Sequence, residues 1–110
     1  MNFVNDEGIY KVSRISGPLH NYLGLFFSDV PVADVDVVAI KLDAKEPARL
    51  RSKEVLKQVL AAAEHSSRVL SRPYNIKKVE FVSGDSLPEE IYFHLTQAII
   101  ERLHTEGENF

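Results

Sequence analysis

The stretch FFSDVPVADVD, residues 26–36, sets Asp29, Asp34 and Asp36 around Pro31 directly after an aromatic run. Carboxylates so spaced have three chemical uses: oxygen ligands for a cation, a general acid and base, or a negative field presented to another macromolecule. A calcium loop of the EF-hand kind needs oxygen donors at alternate positions, a glycine at the sixth and a glutamate at the twelfth, whereas this stretch has valine and proline among those positions. Aspartate also favours turns by hydrogen-bonding its own backbone, so a solvated loop accounts for all three residues without a metal. Sixteen acidic residues make accidental carboxylate pairs common, so pairing alone does not point to acid–base chemistry. The long-range field is the favoured use.

The other reactive residues support few chemistries. There is no cysteine, which excludes disulfides, thiolate nucleophiles and cysteine-ligated zinc, and which suits a reducing compartment. None of His20, His65, His94 and His104 sits four residues from another, so the HExxH zinc motif is missing. His94 and His104 are expected on a solvated helix face with Glu90, Gln97 and Glu101. VSGDS, residues 82–86, lacks the GxSxG nucleophile pattern. Asp85 would repel a phosphate from the helix start that follows, and Asp85 and Ser86 read as helix caps. The five glycines are scattered singly, without a nucleotide-binding loop. No catalytic residue, metal or cofactor is expected.

The net charge of −3 hides an asymmetry, because residues 44–78 hold nine Lys or Arg against Glu46, Glu54 and Glu64, leaving −9 on the remainder. Such a bipolar field governs steering and choice of partner and leaves the fold undetermined. The basic stretch has Tyr74 as its one aromatic residue, so stacking on single-stranded bases has little support and a solvated helix face is favoured over nucleic acid. No apolar run approaches the roughly 18 residues that cross a bilayer, and the acidic start MNFVNDEG is unlike a secretory signal, so a cytoplasmic location is expected, without a membrane partner.

The elements that must position these residues follow from periodicity. At 110 residues, 45% of them apolar and 26% charged, the chain reads as one folded domain, residues 1–110, with fraying ends at about 1–7 and 105–110. IYKVSRIS and YLGLFFS are two strands joined by a turn at Gly17-Pro18. VDVVAIKL, β-branched on both parities, looks like a central strand. A helix is predicted from the cap candidate Ser52 to Arg72, with Leu56, Val59, Leu60, Ala63, Ser67 and Leu70 on its apolar face and Val55, Ala62 and Val69 widening it. A fourth strand follows over residues 74–82, then a capping box at Ser86-Leu87-Pro88-Glu89 and a helix to about His104. The expected fold is α+β, order βββαβα, a four-stranded mixed sheet with two helices on one face. If the first three strands form a meander, the fourth joins the sheet at an edge.

SGPLHNYLGLFFS, followed by VLKQVLAAAEHSSRVLSRPYNIKKVEFVSGDSLPEEIYFHLTQAII, resembles small immunity proteins of bacterial polymorphic-toxin and contact-dependent growth inhibition systems over roughly residues 15–101. The resemblance implies a cytosolic, non-enzymatic inhibitor that binds a cognate toxin domain, often a nuclease, and blocks it. It carries a role and no residue list. The physical reading meets it, because an acidic patch speeds encounter with a basic partner while aromatic anchors supply most of the affinity. Asp29, Asp34, Asp36 and Asp43 are then the steering residues, and Tyr22 and Phe26 or Phe27 the anchors. Two other readings remain open: a small enzyme or ligand-binding domain with a site between sheet and helices, and a homo-oligomer joined through an exposed sheet or helix face.

Overall fold

Side chains alternate sides along a strand. In IYKVSRIS and LHNYLGLFFS, therefore, Tyr10, Val12, Leu23 and Leu25 share one side of the sheet while Ile9, Lys11, Tyr22 and Phe26 share the other. The computed structural model describes residues 1–16, 19–41, 52–85 and 90–110. Its strands are β1 (Asn2–Asp6), β2 (Ile9–Ser16), β3 (Leu19–Ser28), β4 (Asp36–Ile40) and β5 (Asn75–Val82), and its helices α1 (Ser52–Val69) and α2 (Ile91–Glu106), followed by a 3₁₀ turn at Gly107–Asn109. The capping box at Ser86–Glu89 and the turn at Gly17-Pro18 lie outside the described residues.

The sheet runs β1-β2-β3-β5-β4, antiparallel except for the parallel β4–β5 pair. Register carries one apolar row from Val12 through Leu23 to Phe81, and another from Tyr10 through Leu25 and Val79 to Val37. Val55, Val59 and Ala63 of α1 and Leu95, Ile99 and Ile100 of α2 pack on this side, so both helices cover the same face. Each fully buried Val or Leu side chain contributes about 1.5–3 kcal/mol. The α+β class and the two helices on one face agree with the sequence.

The sheet has five strands where the sequence predicts four. NFVND is mostly polar and reads as a fraying end, yet it pairs in full with β2. Its hairpin turns through Glu7 and Gly8, both at positive φ (51° and 88°), the conformation of a tight two-residue turn that matches strand twist. The Asn5 side chain braces the turn by accepting from the Gly8 N–H at 3.1 Å. The other end is also ordered: Phe110 is buried against Phe3 and Tyr10, with ring centroids 5.7 and 4.9 Å away. Arg102 Nε donates to the Phe110 oxygen at 2.7 Å.

The first three predicted strands do not form a meander. β5 enters between β3 and β4 as a central strand, which leaves β4 at the edge. The β-branched run in β4 reads as central because Val37 faces α1 while Val38 and Ile40 shelter beside Glu80 and Val82 on the far face. On α1 the buried stripe is Val55, Val59, Ala62, Ala63 and Ser66, which keeps the Val55–Ala62 flank of the predicted face, while Leu60 and Val69 at its other margins are exposed.

Candidate functional site

The face turned away from the helices carries two cross-strand rows. One runs Asp6, Ile9, Phe26, Lys78, Asp36, and the other Val4, Lys11, Gly24, Glu80, Val38. Tyr22 lies over Gly24: a Cβ built on that glycine would meet the Tyr22 hydroxyl at 2.7 Å and Glu80 Oε1 at 2.9 Å. The hydroxyl donates to Glu80 at 3.0 Å. Burial first, and then the Glu80 charge, push the Tyr22 phenol far above its ordinary ionisation range. Tyr22 therefore covers a glycine and holds Glu80. As a partner anchor it has only the outer surface of its ring to offer.

Phe26 occupies a bulge. It pairs with Lys78 and Phe27 with Ile76, so Lys77 is the extra residue of β5, and its ammonium rests 4.1 Å from the Phe26 ring centroid. Beyond Ser28 the chain leaves the sheet, with the Ser28 Oγ accepting from the Val30 N–H at 3.2 Å. Asp29 and Asp34 stand exposed in this connection, and Asp36 is exposed at the start of β4. Among the described residues none of the three is within ion-pair distance of a cation, and the one ion pair is Lys11–Asp6 at 2.9 Å. Nor do three His, Asp or Glu side chains converge among those residues as metal ligands would. The structure thus brings Phe26 and Asp29 together, sets Asp34 and Asp36 along the adjoining edge, and leaves Tyr22 farther up the face. Asp43 lies outside the described residues.

The N-cap position of α2 is held by Glu90, so Asp85 does not stand there. It is buried, and its Oδ2 accepts from the Tyr22 backbone N–H at 2.8 Å, tying β3 to the end of β5. Ser86 lies outside the described residues. The start of α2 is served from α1, where Gln58 Oε1 accepts from the Tyr92 N–H at 3.0 Å.

Between the β1–β2 turn, the end of β3, the connection before β5 and the last turn of α2 lies a hollow of about 410 Å³. Tyr10, Phe27 and Tyr74 wall it, with Tyr10–Phe27 and Phe27–Tyr74 centroids 5.8 and 6.1 Å apart, both edge to face. Asp29 and Arg72 also line it. The Arg72 guanidinium sits 5.5 Å above the Tyr74 ring, and the Tyr74 hydroxyl meets His104 Nδ1 at 2.8 Å. Arg72, Tyr74 and His104 are residues that the sequence assigns to solvated faces or to a strand. Arg72 and Tyr74 come from the connection between α1 and β5 and His104 from α2, so no local spacing links the histidine to the other two. A second hollow of about 470 Å³ separates the 31–35 segment from α1, with Val32, Val35, Leu60 and Ile76 in its walls. Among the described residues no helix is long and apolar enough to cross a membrane. Compared with family models, with curated proteins and with solved structures, the chain matches none.

Proposed function

We propose that this chain is a non-enzymatic protein-binding domain that neutralises a cognate bacterial toxin domain in the cytoplasm, in the manner of the immunity proteins it resembles. One observation carries the reading: among the described residues both helices lie on one face of the sheet, and the acidic end adjoins the other face. Ile9, Phe26, Val38 and Ile40 supply half-buried apolar area there, while Asp29, Asp34 and Asp36 stand in solvent next to it, without a cation in ion-pair range among the described residues. Solvated like charges of this kind accelerate encounter with a basic surface and reject acidic ones, and desolvated aromatic and aliphatic side chains then hold the complex. The partner that fits is a protein domain with a basic groove, as a nuclease has where it takes its substrate.

The proposal expects a toxin domain in a neighbouring reading frame, and co-expression with that domain tests it. Protected cells are expected, together with a stoichiometric complex that forms more slowly as salt is added. Cells left unprotected overturn it.

A further inference from the structure

The hollow at the sheet end has properties that the toxin-binding reading does not use. Its volume of about 410 Å³ lies within the roughly 300–1,000 Å³ of small-molecule sites, which are typically aromatic-walled with a few converging polar groups. The walls are held in place before any ligand arrives. Tyr74 is pinned at three points, by its hydroxyl on His104 at 2.8 Å, its N–H on Ser67 Oγ at 2.9 Å and its ring edge against Phe27. Such preorganisation lowers the ordering cost of binding.

The rim carries one charge of each sign. Asp29 and Arg72 both line the hollow, yet neither has an opposite charge within ion-pair distance among the described residues, so they face the same space without closing on each other. The Arg72 guanidinium is held 5.5 Å from the Tyr74 ring centroid and is in no ion pair among the described residues, so its N–H fork can take a carboxylate. A simple acid placed there would set its carboxylate near Asp29, and a simple amine would set its ammonium near Arg72. A ligand with both groups beside an aromatic body satisfies the rim and the walls together.

We infer that this hollow binds a free aromatic amino acid, its ring among Tyr10, Phe27 and Tyr74, its carboxylate on Arg72 and its ammonium on Asp29. The inference is independent of any toxin partner, and its test involves none. The full chain, labelled with ¹⁵N, is titrated with L-phenylalanine, N-acetyl-L-phenylalanine and phenethylamine while its amide resonances are followed. L-Phenylalanine is expected to shift the amides of Gly8, Asn75 and Gly107 saturably. Each analogue, lacking one charge, should bind about tenfold more weakly, as should L-phenylalanine to the Arg72→Gln and Asp29→Asn variants, the loss of one charge-assisted hydrogen bond. Both variants alter exposed side chains, so folding is retained and amide spectra confirm it. No saturable shift with L-phenylalanine, equal binding of the three compounds, or unweakened binding by either variant overturns the inference.

Discussion

A side chain at position 24 would begin where the Tyr22 hydroxyl already lies, and this local fact bears on how Tyr22 behaves in alkali. The atoms nearest a Cβ at Gly24 are the far ends of Tyr22 and Glu80, which can swing away, with the Ile9 Cγ2 at 3.3 Å behind them. Gly24→Ala should therefore fold, at a cost of about 1 kcal/mol, the low end for overpacking. It should nevertheless break the Tyr22–Glu80 bond and bring the Tyr22 ionisation down towards the ordinary phenol range, as read by the pH dependence of its ring resonance. An unchanged Tyr22 titration would mean that the phenol does not depend on this glycine. Tyr92 supplies a second alkaline group: burial pushes it up to about 12, against the lowering effect of the Asn21 side chain, whose Nδ2 lies 3.3 Å from its hydroxyl. Both phenols are harder to ionise folded than unfolded, so their contribution is fully present below pH 10 and is lost as pH rises through the folded values. Urea unfolding should show stability constant in this respect at pH 9 and falling from pH 10 to 12. Tyr92→Phe should flatten that fall.

At the scale of elements, α1 ends in a left-handed residue that is not glycine. Ser71 has φ 54°, its N–H donates to the Arg68 oxygen at 3.4 Å, and the Arg72 N–H donates to the Ser67 oxygen at 3.1 Å, the paired bonds of a Schellman stop. This stop explains why the helix ends at Val69, ahead of the Arg72 expected from Pro73. Ser71→Gly relieves the strained φ and should stabilise the chain by about 0.5–1 kcal/mol, measured as a higher urea midpoint at unchanged slope. Gln58→Ala should act in the opposite sense, by about 1 kcal/mol, because it strips the Tyr92 N–H of its acceptor. The same elements show what sequence could and could not convey. β2, β3, β5 and both helices follow from periodicity, since their buried positions recur at the spacing of a strand or a helix. β1 escapes because Asn2, Asn5 and Asp6 are poor strand formers, and its order comes from pairing and from Phe3 meeting Phe110. The placement of β5 between β3 and β4 is a non-local choice that no strand records alone. Phe26 and Asp29 were legible as neighbours because they are three apart, whereas Arg72, Tyr74 and His104 meet them only through the fold.

At the scale of the whole molecule, the question is whether Asp29, Asp34 and Asp36 work at a distance or in contact. They are exposed and in no ion pair among the described residues, so replacing all three by Asn should leave stability within about 0.5 kcal/mol of the native chain. Their charges would act on a basic partner while it is still separated by solvent, where attraction is screened over roughly 8–10 Å at physiological salt. Steering of this kind changes association rates by about ten- to a thousandfold and leaves dissociation nearly alone. The triple Asn variant should therefore bind the proposed toxin partner about tenfold more slowly at low salt, dissociate at the native rate, and lose most of the salt dependence of association. Stopped-flow mixing at two ionic strengths separates these quantities. A variant that associates normally but dissociates faster would place the three carboxylates inside the contact, as hydrogen-bond acceptors for the partner, and would end their role as a field.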